Sequence, residues 1–341
     1  KAGAEALVNM GAEVDVYDSN EDIEKRDWAG SIGAAISFGE RPVNVKGYDM
    51  LVLSPGVPTD KEFIKEAEAE GTEVIGELEL AYRYGNGKYV AITGTNGKTT
   101  TTTLVGEIFK EAGKKTEVVG NIGVAVMTKA MDVDDDTYLV TECSSFQLDT
   151  VVNFKPEISA VLNITPDHLD RHKTMENYAN AKGKIFANQG PEEYCIYNYD
   201  DEIVRELVKN CKAKLIPFSR KREFECSSAY VKNGNIVVRD GKFIFVVCRD
   251  DALKIPGLHN LENALAAAAI SYFAGIKIDV IAKVLKTFKG VEHRIEDCGA
   301  VNGVKYINDS KGTNPDAAIK AVMSFRNILL IAGGYDKGAS F

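Results

Sequence analysis

The chain has 341 residues, of which 45% are hydrophobic and 27% charged. That composition excludes a disordered protein and suits two or three domains of about 100–200 residues each. A net charge of −9 with a pI near 5.2 excludes the basic footprint of a nucleic-acid partner, yet leaves a few local lysines and arginines free to hold a phosphate.

Residues 1–76 alternate helix and strand. A helix near 1–10 stops at Gly11, a usual helix-ending glycine. Glu13–Tyr17 reads as a strand ending in Asp18 and Ser19. Asp49–Leu53 is an apolar strand running into the turn Ser54-Pro55-Gly56. Lys61–Glu70 reads as a charged helix and Glu73–Ile75 as a short strand. Such alternation predicts a parallel sheet with helices on its faces. The first helix has no strand before it, and residue 1 already lies inside a helical pattern. A strand and its turn are therefore expected upstream. The opening residues carry no apolar signal-peptide core, and no stretch reaches the roughly 20 apolar residues of a membrane span.

A second block, assigned to 77–289, opens with the strand at Lys88–Thr93. A loop follows, then a helix to about Ala112. Further strands are predicted near 117–119, 137–141 and 158–164, with a helix over 175–188. Three alternating runs at 229–232, 235–239 and 242–247 are separated by Asn233-Gly234 and Asp240-Gly241, which are hairpin turns, so an antiparallel patch is predicted there. Helices near 258–273 and 278–288 close the block. The third block, 290–341, has strands near 293–298 and 303–308, a helix near 315–324 and a strand at Asn327–Ala332. It ends soon after that strand, so more of this domain is expected downstream. Cys143, Cys195, Cys211, Cys226, Cys248 and Cys298 are scattered without a CxxC pair and read as free thiols of a reducing compartment.

The most informative short motif is Gly94-Thr95-Asn96-Gly97-Lys98-Thr99. It follows a strand and opens a helix, the setting of a phosphate-binding loop. Glycines let backbone N–H groups close on phosphate oxygens, and the helix N-terminus adds partial positive charge. Lys98 would reach the outer phosphates and the Thr99 hydroxyl a Mg²⁺ ion. The loop is a variant, since Ile92 stands where the usual first glycine falls and Gly94 serves a shorter loop. By itself it leaves ATPase, kinase, GTPase and ligase open.

Two polar clusters lie past strand ends, where ligands of open α/β sheets gather. Glu142, in the run Thr141–Leu148, is placed to meet Mg²⁺ beside the loop. Asn163–His172 holds His168 and His172 four apart. Without a third ligand nearby, a single imidazole on Mg²⁺ or a structural histidine fits better than zinc. Lys182 lies inside a predicted helix, where spacing alone reads as a solvated charge. Asn260 and Asn263 share a helix face, suited to adenine edges or, for Asn260, to a helix cap.

GTNGKTT, ECSSFQLD, NITPDHLDRH, AKGKIF, HNLENALAAAA, EHR and NDSKGTNP, in this order, resemble the Mur ligase family across essentially the whole chain. SSFQL with DHLDRH is similar to the branch that adds D-glutamate. The resemblance implies three α/β domains: a Rossmann-like UDP-substrate domain, a central P-loop ATPase domain and a Rossmann-like amino-acid domain, the outer two incomplete here. It implies an ATP-dependent amide ligase acting through an acyl phosphate, with UDP-N-acetylmuramoyl-L-alanine and D-glutamate as substrates, in the bacterial cytoplasm and as a monomer.

The resemblance further implies roles. Lys98 would contact the outer phosphates together with the loop residues Gly94 to Thr100, including Thr100. Thr99 and Glu142 would share one Mg²⁺ ion, and His168 would hold a second. Lys182 would be carbamylated into a carboxylate-like metal ligand, which reverses the reading from spacing. Asn121 would touch the substrate near the reacting centre. Asn260 and Asn263 would meet adenine, Arg294 the γ-phosphate and Asp309 the ribose. Lys311 and Thr313 would serve the phosphate and D-glutamate region, and Lys337 a D-glutamate carboxylate. Asp18, Ser19, Ser54, Pro55 and Gly56 match UDP-binding positions. Cys143 departs from the family's small or apolar residue, a change that reads as neutral, although a thiol beside the metal site could be oxidised. Another Mur ligase, or a folylpolyglutamate synthetase, which shares the loop and the late motifs, is the alternative within the superfamily. A non-catalytic nucleotide-binding module is the alternative outside it.

Overall fold

A computed structural model of the chain describes residues 1–333. The first block contains α1 (Ala2–Asn9), β1 (Asp15–Asp18), α2 (Ile23–Ser31), β2 (Ala35–Phe38), β3 (Met50–Leu53), α3 (Glu62–Ala69) and β4 (Glu73–Gly76). Its strands form two separate parallel pairs, β1 with β2 and β3 with β4. Helix α2 and strand β2 escaped the sequence reading. The helix carries little apolar periodicity and starts from a polar signal instead, with the Asp22 carboxylate accepting the Glu24 N–H.

The central block contains α4 (Glu77–Tyr84), β5 (Lys88–Thr93), α5 (Lys98–Glu111), β6 (Thr116–Gly120), α6 (Val126–Ala130), β7 (Tyr138–Glu142), α7 (Ser145–Leu148), β8 (Ile158–Val161), α8 (Leu169–His172) and α9 (Met175–Gly183). It continues with β9 (Tyr194–Asn198), α10 (Glu202–Leu207), β10 (Lys214–Ser219), β11 (Ser228–Lys232), β12 (Asn235–Asp240), β13 (Phe243–Arg249), α11 (Leu258–Phe273) and α12 (Ile278–Thr287). One nine-stranded sheet runs β13-β12-β11-β10-β9-β8-β5-β7-β6. It is parallel from β6 to β11, and β12 and β13 add antiparallel. The predicted antiparallel patch is therefore not a separate unit. It extends the main sheet, because β11 pairs in parallel with β10 at Phe218 and Ser219.

Strand β5 is buried along nearly its whole length, as a strand covered on both faces must be. One face packs α5, α11 and α12 around Leu104, Ile108, Phe109, Leu265 and Ile281. The other packs α4, α6 and α9 around Leu78, Met127, Phe154, Tyr178 and Ile185, and Ala6 of α1 joins that core. The helix expected to reach 188 ends at Gly183, where Leu207 of α10 would meet a Cβ at 2.9 Å.

The third block opens with the antiparallel hairpin β14 (Glu296–Val301) and β15 (Val304–Asn308), then α13 (Pro315–Met323). Asn314 caps α13 by accepting the Ala317 N–H, and Pro315 takes the first helical position. The strand expected at 327–332 is not formed, and Ile328, Leu329, Leu330 and Ile331 stand exposed. A strand needs a paired neighbour to satisfy its N–H and C=O groups, and none lies beside this run among the described residues.

Candidate active site

The phosphate loop connects β5 to α5 at the carboxyl edge of the sheet. Gly97 precedes the helix with φ +86°, a conformation glycine adopts without penalty. Its missing Cβ is also needed for packing, since it would lie 2.3 Å from Asn263 Oδ1. This close approach seats the start of α11 on the loop. Asn163, from the end of β8, holds the loop from the other side. Its Oδ1 accepts the Asn96 N–H at 2.8 Å, its Nδ2 donates to Asn96 O at 2.9 Å, and its carbonyl accepts the Thr95 N–H at 2.8 Å. Thr95 Oγ1 accepts the Thr165 N–H at 3.0 Å. Asn163 was not singled out from sequence; an asparagine at the end of an apolar strand was the available signal.

Behind the loop, Glu142 ends β7 almost fully buried. Its Oε2 accepts from Thr99 Oγ1 and its Oε1 from Asn121 Nδ2, both at 2.9 Å. The Asn121 N–H donates to the Glu142 carbonyl at 2.9 Å, so β6 and β7 deliver the pair together. An oxygen-rich cluster of this kind suits a hard divalent cation such as Mg²⁺.

Lys98 is half-buried and turned back on its own loop, donating to Gly94 O and Thr95 O at 2.8 Å. Lys182 is 1% exposed, far from the solvated charge that helix spacing suggests. Its Nζ donates to Gly94 O at 2.9 Å and lies 4.6 Å from the Tyr178 ring centroid. Burial pushes both ammonium groups below the ordinary lysine range, and the shift at Lys182 is large, with Lys98 adding to it. Cys143 is fully buried and its thiol is pushed up by that burial. It is therefore an inert structural cysteine rather than an oxidisable one.

His168 begins α8 in a left-handed conformation (φ 53°). Its ring stands edge-on to Phe146 at 4.8 Å, and its Nε2 lies 3.7 Å from Asp167 Oδ2. His172 is instead buried, sharing a 2.9 Å hydrogen bond with Ser145 Oγ. The two histidines differ in burial but pack on the same two rings, Phe146 and Tyr178.

A cleft opens beside the loop. Asn96, Gly97, Thr99, Thr100, Asn260, Asn263, Arg294 and Asp309 line it, together with His259, Glu262 and Lys320. Asn260 does not cap α11; Gly257 precedes that helix, and Asn260 Nδ2 donates back to Pro256 O at 2.7 Å while its Oδ1 accepts from Asn263 Nδ2 at 3.1 Å. Burial lowers the Arg294 guanidinium and raises the Asp309 carboxyl, each partly countered by the other. The third block reaches the loop through Asp316, which accepts from Asn96 Nδ2 at 2.7 Å. Asn314 Nδ2 lies 3.1 Å from Asn96 Oδ1 and 3.3 Å from Asp167 Oδ2.

Lys311 and Thr313 are exposed on the β15–α13 connection and do not line this cleft. Asp18 is held by Lys25 Nζ at 2.8 Å and the Asn20 N–H at 2.9 Å, and the lysine keeps its carboxyl below the usual range. Ser19 follows it, exposed. Ser54-Pro55-Gly56 forms the turn after β3, as read from sequence, and Arg171 contacts it. Lys337 lies outside the described residues.

The Mur ligase middle domain matches residues 92–271, the stretch that supplies the loop, Glu142, His168 and Lys182. The chain belongs to the Mur ligase family. Within that family it belongs with the proteins named UDP-N-acetylmuramoylalanine–D-glutamate ligase. It is 51% identical over 340 residues to the one from Caldanaerobacter subterraneus, covering 98% of this chain and 74% of that protein. It is 57% identical over 295 residues to the one from Alkaliphilus oremlandii, covering 86% and 64%. Among solved structures, MurF from Acinetobacter baumannii shares the fold with a TM-score of 0.62 at 17% identity, over 92% of this chain and 69% of that one. UDP-N-acetylmuramate-alanine ligase MurC from Thermotoga maritima does so with a TM-score of 0.54 at 21% identity, over 95% and 74%.

Proposed function

We propose that the protein joins the carboxylate of UDP-N-acetylmuramoyl-L-alanine to the amino group of D-glutamate at the expense of ATP, as a monomer in the bacterial cytoplasm. The observation that carries this reading is the cluster of Lys98, Thr99, Asn121, Glu142 and Lys182 around one phosphate loop, in a chain 51% identical to a ligase of that name. No helix among the described residues is long and apolar enough to cross a membrane. Residues 1–76 would hold the UDP end, 77–289 ATP, and 290–341 begin the amino-acid domain.

The chemistry runs in two steps. A carboxylate oxygen of the alanine attacks the γ-phosphorus, the bond to ADP breaks, and an acyl phosphate forms. The amine of D-glutamate then attacks the acyl carbon, phosphate leaves, and the nitrogen loses a proton as the amide forms. Bringing two anions together is the main obstacle, and placed cations lower it. Lys98 would leave its two loop carbonyls for the outer phosphates, Arg294 the γ-phosphate side. Thr99, Glu142 and His168 are the side chains that would hold Mg²⁺, which supplies charge neutralisation for the crowded oxyanions. Burial and the neighbouring Lys98 hold Lys182 well below the lysine range, which favours loss of its proton. Adding CO₂ to that amine, with loss of a proton, would give a carbamate and reverse the local charge. Asn260 and Asn263 would face adenine and Asp309 the ribose, while Lys311, Thr313 and Lys337 would serve D-glutamate.

ADP release measured with each substrate pair tests the reading. Turnover should require UDP-N-acetylmuramoyl-L-alanine and D-glutamate together. Turnover with L-lysine or diaminopimelate in place of D-glutamate, and none with D-glutamate, would sink it.

A further inference from the structure

Arg171 joins two parts of the molecule that the chain separates widely. Its Nη2 donates to Val57 O at 2.7 Å, and its Nη1 lies 3.5 Å from Gly56 O. Those carbonyls leave the turn that follows β3, which is closed by the Val57 N–H on Ser54 O at 2.9 Å. The same guanidinium sits 5.1 Å from the Phe146 ring centroid. That ring meets His168 edge-on at 4.8 Å and stacks on His172 at 5.5 Å with 15° between planes. His172 is itself fixed by Ser145 Oγ, with Asp149 Oδ2 3.8 Å from its other nitrogen. Direct contacts therefore run from the turn through Arg171 and Phe146 to His168.

Arginine suits this place for a physical reason. Its planar fork donates to two carbonyls while its face lies on an aromatic ring, which a lysine cannot reproduce. Phe146 is thus packed between the guanidinium and the two imidazole rings.

We propose that Arg171 is a positioning residue that ties the seating of the UDP-linked substrate at the Ser54–Val57 turn to the placement of the His168 ring at the reacting end. The inference rests on the functional reading above. An elongated substrate must be held at both ends for its carboxylate to meet the γ-phosphate, and small misplacements cost rate steeply. Arg171 sets the distance between the two ends.

The test compares wild type, R171A, R171K and F146L by calorimetric binding of UDP-N-acetylmuramoyl-L-alanine and of a non-hydrolysable ATP analogue, with melting temperature and steady-state kinetics. Losing charge-assisted hydrogen bonds predicts UDP-substrate binding weaker by about tenfold or more in R171A, with analogue binding within about twofold of wild type. R171K should recover only part of the loss. F146L should lower kcat more than it weakens UDP-substrate binding. UDP-substrate affinity in R171A within about twofold of wild type overturns the proposal. So does an equal loss for both ligands with a lower melting temperature, which marks a purely structural tether. If R171A does not fold, R171K decides by the same ratio. Wild type that fails to bind UDP-N-acetylmuramoyl-L-alanine overturns the functional reading and this one together; wild-type binding with unaltered variants overturns the role of Arg171 alone.

Discussion

Lys98 and Lys182 donate to the same acceptor, the Gly94 carbonyl, at 2.8 Å and 2.9 Å. Two ammonium groups on one oxygen repel each other, and both are withdrawn from water. Glu142 lies close enough to favour the charged form of each. The arrangement is costly to the fold and suits a site where an incoming anion, or a charge reversal at Lys182, relieves the repulsion.

Replacing Lys182 with methionine should therefore separate stability from activity. A lysine whose folded pKa lies below its unfolded value of 10.5 binds its proton more readily when unfolded. Stability is then highest above the unfolded value and falls as pH drops toward the folded one. K182M removes that term. Its melting temperature should exceed wild type at pH 7 and change less between pH 7 and 10. Each ~1 kcal/mol corresponds to ~2–4 °C for a chain of this size. Ligase activity should fall by about 100-fold or more, as expected when a preorganised charge is lost.

Gly120 controls the meeting of Asn121 with Glu142. Its φ is +107°, and a Cβ there would lie 2.3 Å from Glu142 O and 3.2 Å from Glu142 C and N. Backbone inside a sheet cannot step aside, so G120A should cost about 1–3 kcal/mol in urea unfolding and weaken Mg²⁺-dependent turnover about tenfold or more. G113A is the control. Gly113 also has positive φ (+74°) but nothing within 4 Å, so only the stability loss should appear.

Glu79 is a fully buried carboxylate. It accepts the N–H groups of Val152, Asn153 and Phe154 at 2.8–3.0 Å and Arg83 Nε at 2.7 Å. Arg83 also forks onto Glu73 at 2.7 Å. E79A leaves three N–H donors, that of Phe154 buried, without their acceptor while Arg83 keeps Glu73, so denaturant unfolding should show a loss of about 2–3 kcal/mol. A loss below about 1 kcal/mol would show that the segment finds other acceptors.

His259 lines the cleft, and burial pulls its pKa down to about 4. The unfolded chain then takes up a proton that the folded chain refuses between about pH 6.5 and 4. Its contribution to stability is fully present above 6.5 and is lost as pH falls through that window. H259N should flatten this part of the melting-temperature profile; an unchanged acid limb would assign the sensitivity to other groups.

The glycine-rich loop, the carboxylate that ends the strand beside it and the alternation of strands and helices were legible in the sequence because they are local. A glycine-rich turn between a buried strand and a helix has few alternatives, and Glu142 announces itself by following an apolar run. The burial of Lys182 was not legible from its helix spacing, which says nothing about which face the protein covers. The predicted strand at 327–332 failed for a related reason: an apolar run supplies the side chains of a strand but not the neighbour its backbone needs.

Sequence by itself thus determined the chemistry available at the sheet edge, because residue types and their order set it. Tertiary structure decided which of those groups meet. It buried Lys182 against Gly94, packed His168 and His172 on the same Phe146 ring, brought Asn163 under the loop and laid Arg171 between Phe146 and the Ser54–Val57 turn. These outcomes depend on packing between elements distant in the chain, where burial and neighbouring charge set what each group does.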